Sequence, residues 1–126
     1  MKKLFFLCIF TSIGAFGVFS EEDFDNYLPM HVISSPPTFN ANEIAIDLVY
    51  PPDARSSNIE GRVILELFVD QNGLVQKAIV LREEPQGYGF GDAAIIAFKS
   101  ITGIPAMANG KRVPARFRYP LSFRLR

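Results

Sequence analysis

Few residues of this chain have the chemistry to act covalently on a substrate. The single cysteine, Cys8, lies in the first twenty residues, so the remainder has neither a disulfide nor a thiol nucleophile. The single histidine, His31, has no serine or acid near it in the order a proton relay needs. Without a Cys/His cluster there is no ligand set for zinc. Glu83 and Glu84 are neighbours in a loop beside Pro85, and adjacent loop carboxylates rarely share one site. Gly87-x-Gly-x-Gly91 precedes a helix, but its spacing fits neither common phosphate-binding pattern and no Lys-Ser/Thr follows. No catalytic residue, metal ligand or cofactor is therefore expected. What remains is recognition chemistry. Arg116, Phe117, Arg118 and Tyr119 alternate cations with aromatic rings near the end of the chain, a pattern suited to an extended peptide with acidic side chains.

Charge is segregated along the chain. The formal net charge is zero, with 13 Lys+Arg against 13 Asp+Glu, yet residues 21–53 hold seven acids and no base. Residues 111–126 hold six bases and no acid. This balance argues against a nucleic-acid binder. The 126 residues suffice for one modest core.

The elements that must position the basic strand are legible from Tyr50 onward. Pro51-Pro52-Asp53-Ala54-Arg55 opens a short helix, since Pro is tolerated in a first turn. From Gly61, Val63, Leu65, Leu67 and Val69 alternate with Arg62, Glu66 and Asp70, as in a half-buried strand. Ile64 and Phe68 imply that the second face is partly covered too. Asp70-Gln71-Asn72-Gly73 is a turn, and Leu74 to Leu81 returns antiparallel. Asp92 is expected to cap a helix reaching about Thr102, with Ala94, Phe98 and Ile101 as its apolar stripe. A loop containing Asn109-Gly110 leads to a last strand from Val113 to Leu125. Pro114 and Pro120 place that strand at a sheet edge. The fold class is α+β: a small three-stranded antiparallel sheet with two helices packed on one face.

Three segments divide the chain. Residues 1–20 pair Lys2 and Lys3 with an uncharged apolar run from Leu4 to Phe19, and Val18 and Ser20 suit a cut before Glu21. This is the pattern of a secretory signal peptide, the rival being a short membrane anchor. Residues 21–42 are acidic and interrupted by Pro36-Pro37, and are expected to form a loosely ordered tether. Residues 43–126 form the domain, in which Ile44 to Val49 is read as a strand or extended segment. An exported chain without disulfides points to a periplasm.

Set in order, these residues are similar to the C-terminal domain of the TonB family of periplasmic energy-transducing proteins. The resemblance is carried by Tyr50-Pro51 with Ala54-Arg55, Gly61 and Val63, and Phe68-Val69-Asp70 with Gly73 and Val75. It continues through Ala93-Ala94 and Ala97, Pro105-Ala106, Asn109-Gly110-Lys111 with Val113, and the closing Pro120-Leu121-Ser122-Phe123. Ile101 and Gly103 stand where the family carries an aromatic pair, so that corner is expected to pack differently. The resemblance implies a protein-binding module that is not an enzyme. The segment before Tyr-Pro and the last strand would take up an extended segment of an outer-membrane receptor or other envelope protein by β-strand addition. The implied partner-binding residues are Asp47, Leu48, Val49, Tyr50 and Pro51, with Arg116, Phe117, Arg118 and Tyr119. Phe117 is expected to carry one of the backbone donors of that edge. An ExbB/ExbD-type motor is implied if the leader remains as an anchor. The alternative is a structural or scaffolding envelope protein whose edge strands pair in a homodimer.

Overall fold

Alternation along Gly61–Val69 sorts this strand, β1, into two faces, and the computed structural model, which describes residues 24–125, shows both in use. Val63, Leu65, Leu67 and Val69 are fully buried on one face. Arg62, Ile64, Glu66 and Phe68 lie on the other. β1 is the centre of a three-stranded antiparallel sheet in the order β2-β1-β5, with β2 at Val75–Glu84 and β5 at Ala115–Phe123. The β1–β2 ladder shifts register between Ile64 and Leu65 and again between Phe68 and Val69. The β1–β5 ladder runs unbroken from the Gly61–Phe123 pair to the Val69–Ala115 pair. The fold class is α+β, as the sequence indicated.

The helices cover the buried face. α1 spans Ala41–Asp47, α2 Pro52–Ser56 and α3 Phe90–Lys99. α3 buries Phe90, Ala94, Ala97 and Phe98 against the sheet. It starts two residues before Asp92, with Gly89 as its N-cap and no side-chain cap. Asp92 sits in the first turn, where a carboxylate meets the positive end of the helix dipole. α1 was expected to be extended. It is a helix because the Asn40 side chain accepts the Asn42 N–H at 2.8 Å, and because Ile44 and Leu48 at i and i+4 give the buried side. There are thus three α-helices among the described residues, not two.

Asn109 and Gly110, with φ of 52° and 77°, close a two-residue hairpin between β3 (Ala106–Ala108) and β4 (Lys111–Val113). The single last strand expected from Val113 to Leu125 is therefore split at Pro114, which has no N–H to give.

Residues 24–42, expected as a loose tether, run in contact with the domain. The Leu28 N–H donates to the Pro114 carbonyl at 3.0 Å, Ser34 N–H to Met107 at 2.7 Å and Thr38 N–H to Ile104 at 3.0 Å. Phe39 reaches the core, edge-on to Phe98 with centroids 5.4 Å apart and parallel to Phe117 at 6.3 Å. Gly103 makes room for it: a Cβ there would sit 2.6 Å from the Phe39 ring and 2.5 Å from the Thr38 carbonyl oxygen. The corner where the helix lacks its aromatic pair is filled by an aromatic from the arm. The expected leader, residues 1–20, lies outside the described residues. No described helix is long and apolar enough to cross a membrane.

Candidate docking edge

β5 has β1 on one side and no strand of its sheet on the other. Which of its backbone groups face outward follows from two hydrogen bonds. The Arg116 N–H donates outward to the Leu28 carbonyl at 3.0 Å, and the Pro114 carbonyl accepts from Leu28. In an antiparallel ladder without a bulge, every second residue turns both its N–H and its C=O to the same side. Arg118, Pro120 and Ser122 therefore share the outward side with Arg116. Among the described residues no backbone group meets the outward groups of Arg118, Pro120 or Ser122. This open length offers two donors, at Arg118 and Ser122, and three carbonyl acceptors.

The expectation of an outward donor at Phe117 is corrected here: Phe117 faces Leu67 in the β1 ladder, so its N–H belongs to the sheet. Its side chain is buried with Phe39, and Tyr119 packs on Phe98 with centroids 4.9 Å apart. Arg116 and Arg118 are exposed on the opposite face, beside Glu66 and a groove of about 480 Å³ also lined by Pro29 and Met30.

The segment Asp47–Pro51 is divided by the fold. Leu48 and Tyr50 turn toward the far end of β5, where they line a groove of about 360 Å³ with Ala45, Arg55, Ser122, Phe123 and Arg124. Asp47, Val49 and Pro51 turn the other way, into a separate, mostly apolar groove of about 290 Å³ with Tyr88, Ala93 and Ile96. Tyr50 is held between Phe90 and Phe123, with centroids 5.9 and 5.8 Å away. Its hydroxyl donates to the Ile59 carbonyl. The Arg55 guanidinium sits 5.1 Å from its ring centre. Burial raises the Tyr50 phenol above its ordinary value, Glu60 adds to this and Arg55 opposes it. Tyr50 is thus a neutral donor at neutral pH. The nine predicted residues thus fall at the two ends of one edge and in one groove that the edge does not reach.

The expected working edge runs from Arg116 to Phe123 and so includes Pro120 and Ser122, which the nine named residues do not. A signal for them was present. Pro114 and Pro120 share parity, and a strand tolerates Pro where the missing N–H would point away from its ladder partner. That parity alone assigns Arg116, Arg118 and Ser122 to the outward side. No group of three or more His, Cys, Asp or Glu among the described residues could hold a metal ion.

A family model, the Gram-negative bacterial TonB protein C-terminal, matches residues 47–125. The chain belongs to this family. No curated protein matches the chain in sequence. TonB C-terminal domains are non-enzymatic protein-interaction domains of the envelope, and they interact with outer-membrane receptors. The match begins at Asp47. The arm and nearly all of α1 lie outside the part this chain shares with the TonB family model.

Proposed function

We propose that this periplasmic domain docks an extended segment of an outer-membrane receptor or other envelope protein by strand addition along the outer side of β5, between Arg118 and Ser122. The observation that carries the reading is the run of unpartnered outward backbone groups there. An exposed edge of this kind is a template for another strand. Side chains of the incoming segment that point to the open face would meet Arg116 and Arg118, which favours acidic ones. Those pointing to the helical face would meet Leu48 and Tyr50.

The same geometry weighs against a homodimer through this edge. An antiparallel pairing of two β5 strands centred on Pro120 sets proline against proline, with two carbonyls and no donor between them. It also brings arginines of both copies onto one face, where like charges repel. Coupling to an ExbB/ExbD-type motor belongs to this reading only if residues 1–20 persist as an anchor.

The test is Arg118→Pro, which removes one outward donor and leaves the β1 ladder intact, beside Arg118→Glu, which keeps the donor and reverses the charge. With both variants shown to be folded by thermal melting, binding to a purified outer-membrane receptor should be lost in the first. In the second it should weaken, mainly through slower association. Receptor binding unchanged by Arg118→Pro would exclude this edge.

A further inference from the structure

The docking edge does not begin free. At its lower end the chain's own residues 24–28 already lie on it. Leu28 forms a parallel bridge to Ala115, accepting from Arg116 and donating to Pro114, both at 3.0 Å. On the open face, the rings of Phe24 and Tyr27 stand edge-on to Phe68 with centroids 5.3 and 5.7 Å away. The Lys77 ammonium lies 5.0 Å from the Phe24 ring centre and 5.6 Å from that of Phe68. This cover is why Phe68 is only 6% exposed although it faces away from the helices.

The attachment is short. Beyond Leu28, Pro29 and a 3-10 turn at Met30–Val32 carry the chain off the edge, and that turn buries no residue. The next backbone bonds, from Ser34 to Met107 onward, tie the rest of the arm to the β3–β4 hairpin instead. Residues 24–28 are therefore held to the edge by one bridge and a cluster of three rings, and the 3-10 turn at Met30–Val32 separates them from the rest of the arm. The groove lined by Pro29, Met30, Glu66, Arg116, Phe117 and Arg118 joins the covered stretch to the open one.

We infer that residues 24–28, a turn ending in the Leu28 bridge, are a displaceable resident segment, and that the surface beneath them is the second half of the docking edge. That surface consists of Phe68, Lys77, the Pro114 carbonyl and the Arg116 N–H. It takes a partner segment with an aromatic residue just before the one that pairs with Ala115. The resident segment shows the chemistry the surface accepts: a backbone donor and acceptor two bonds wide, and aromatic rings against Phe68 with a cation beside them. The inference rests on the strand-addition reading for its partner. The cover itself is tested without a receptor.

The experiment follows amide hydrogen exchange in the full chain. Leu28 and Arg116 should exchange at least about 100-fold faster than Phe117, which is bonded within the sheet, because a weakly attached unit opens without global unfolding. Tyr27→Ala should speed Leu28 and Arg116 further and leave Phe117 unchanged. A synthetic peptide of residues 24–30, added to the Tyr27→Ala chain, should restore protection at Arg116. With Cys8 replaced by Ser, an oxidised Leu28→Cys/Ala115→Cys chain should show no binding of that peptide, and reduction should bring binding back; bridge partners lie within disulfide reach. Exchange of Leu28 and Arg116 in step with Phe117 would overturn the inference, as would failure of the peptide to protect Arg116. If the peptide protects Arg116 while receptor binding survives Arg118→Pro, the strand-addition reading fails by itself and the peptide surface stands.

Discussion

At the scale of single residues, Asp70 and Asn109, both singled out in the sequence, serve turns. Asp70 is the clearest case. One of its carboxylate oxygens accepts the N–H groups of Asn72 and Leu74 at 2.9 and 3.0 Å, and the other accepts from the Gln76 side chain at 2.8 Å. Burial pushes its pKa up, but hydrogen bonds from Gln76, Leu74, Asn72 and Gly73 together outweigh it, so the carboxyl titrates below its ordinary value of 3.8. A depressed folded-state pKa contributes stability that is present above the unfolded value and is lost as pH falls through the folded one. Asp70→Asn should therefore melt lower than the parent at neutral pH. The gap should close as both are taken from about pH 5 to below the ordinary carboxylate pKa. Melting curves of the pair across that range check this; a gap that stays constant down to acid pH would show that the carboxylate charge is not what holds the turn.

At the scale of elements, the strands and the main helix were readable because burial on one face imposes a strong period. Leu65 and Leu67 alternate with Glu66, and Ala94, Phe98 and Ile101 recur at helical spacing. Where two periods fit the same letters, the reading failed. Ile44, Ile46 and Leu48 alternate like a strand, while Ile44 and Leu48 are also spaced like a helix. The Asn40 cap, which acts only once the chain has turned, decides for the helix. β3 and β4 have three residues each, too few for any period, and only the Asn109-Gly110 pair marked the reversal. The free edge of β5 was legible in its composition and not in its orientation. Arg116 to Tyr119 could be placed on a terminal strand, but which parity faces outward depends on the pairing of β5 with β1. The helical assignment of α1 has a direct consequence. Ile44 is 3% exposed and Ile46 is 80% exposed. Ile44→Ala should cost about 2–4 kcal/mol of unfolding free energy, and Ile46→Ala less than about 0.5 kcal/mol. Denaturant titration separates them; equal losses would mean that the segment is a strand with both isoleucines on one buried face.

At the scale of the whole molecule, the sheet has two differently finished faces, and the arm helps complete both. On the helical side it supplies Phe39, whose ring meets Phe98, Phe117 and Tyr119 over the helix end that Gly103 leaves open. On the open side it supplies Phe24 and Tyr27 to cover Phe68. The arm's composition hid this. Its acids and prolines outnumber its aromatics, so the average reads as tether, while the few rings are the part that binds. The sequence shared with the TonB C-terminal family starts only at Asp47, so the family pattern does not reveal it either. A chain starting at Ala41 would lose Phe39 from a close-packed cluster, expose Phe68, free the β3–β4 hairpin from Ser34 and Ser35, and free Ile104 from Thr38. Truncating a buried Phe to Ala typically costs about 3–5 kcal/mol, and the half-buried Phe39 alone should supply about 2–3 kcal/mol of loss. For a domain of this size each 1 kcal/mol lowers the melting temperature by roughly 4–8 °C. The chain starting at Ala41 should thus melt at least about 10 °C below one starting at Glu21. A chain starting at Pro37, which keeps Phe39 and Thr38, should recover the larger part of the difference. If the Ala41 chain melts with the parent, the Phe39 contacts add nothing to stability, and the arm is a tether after all.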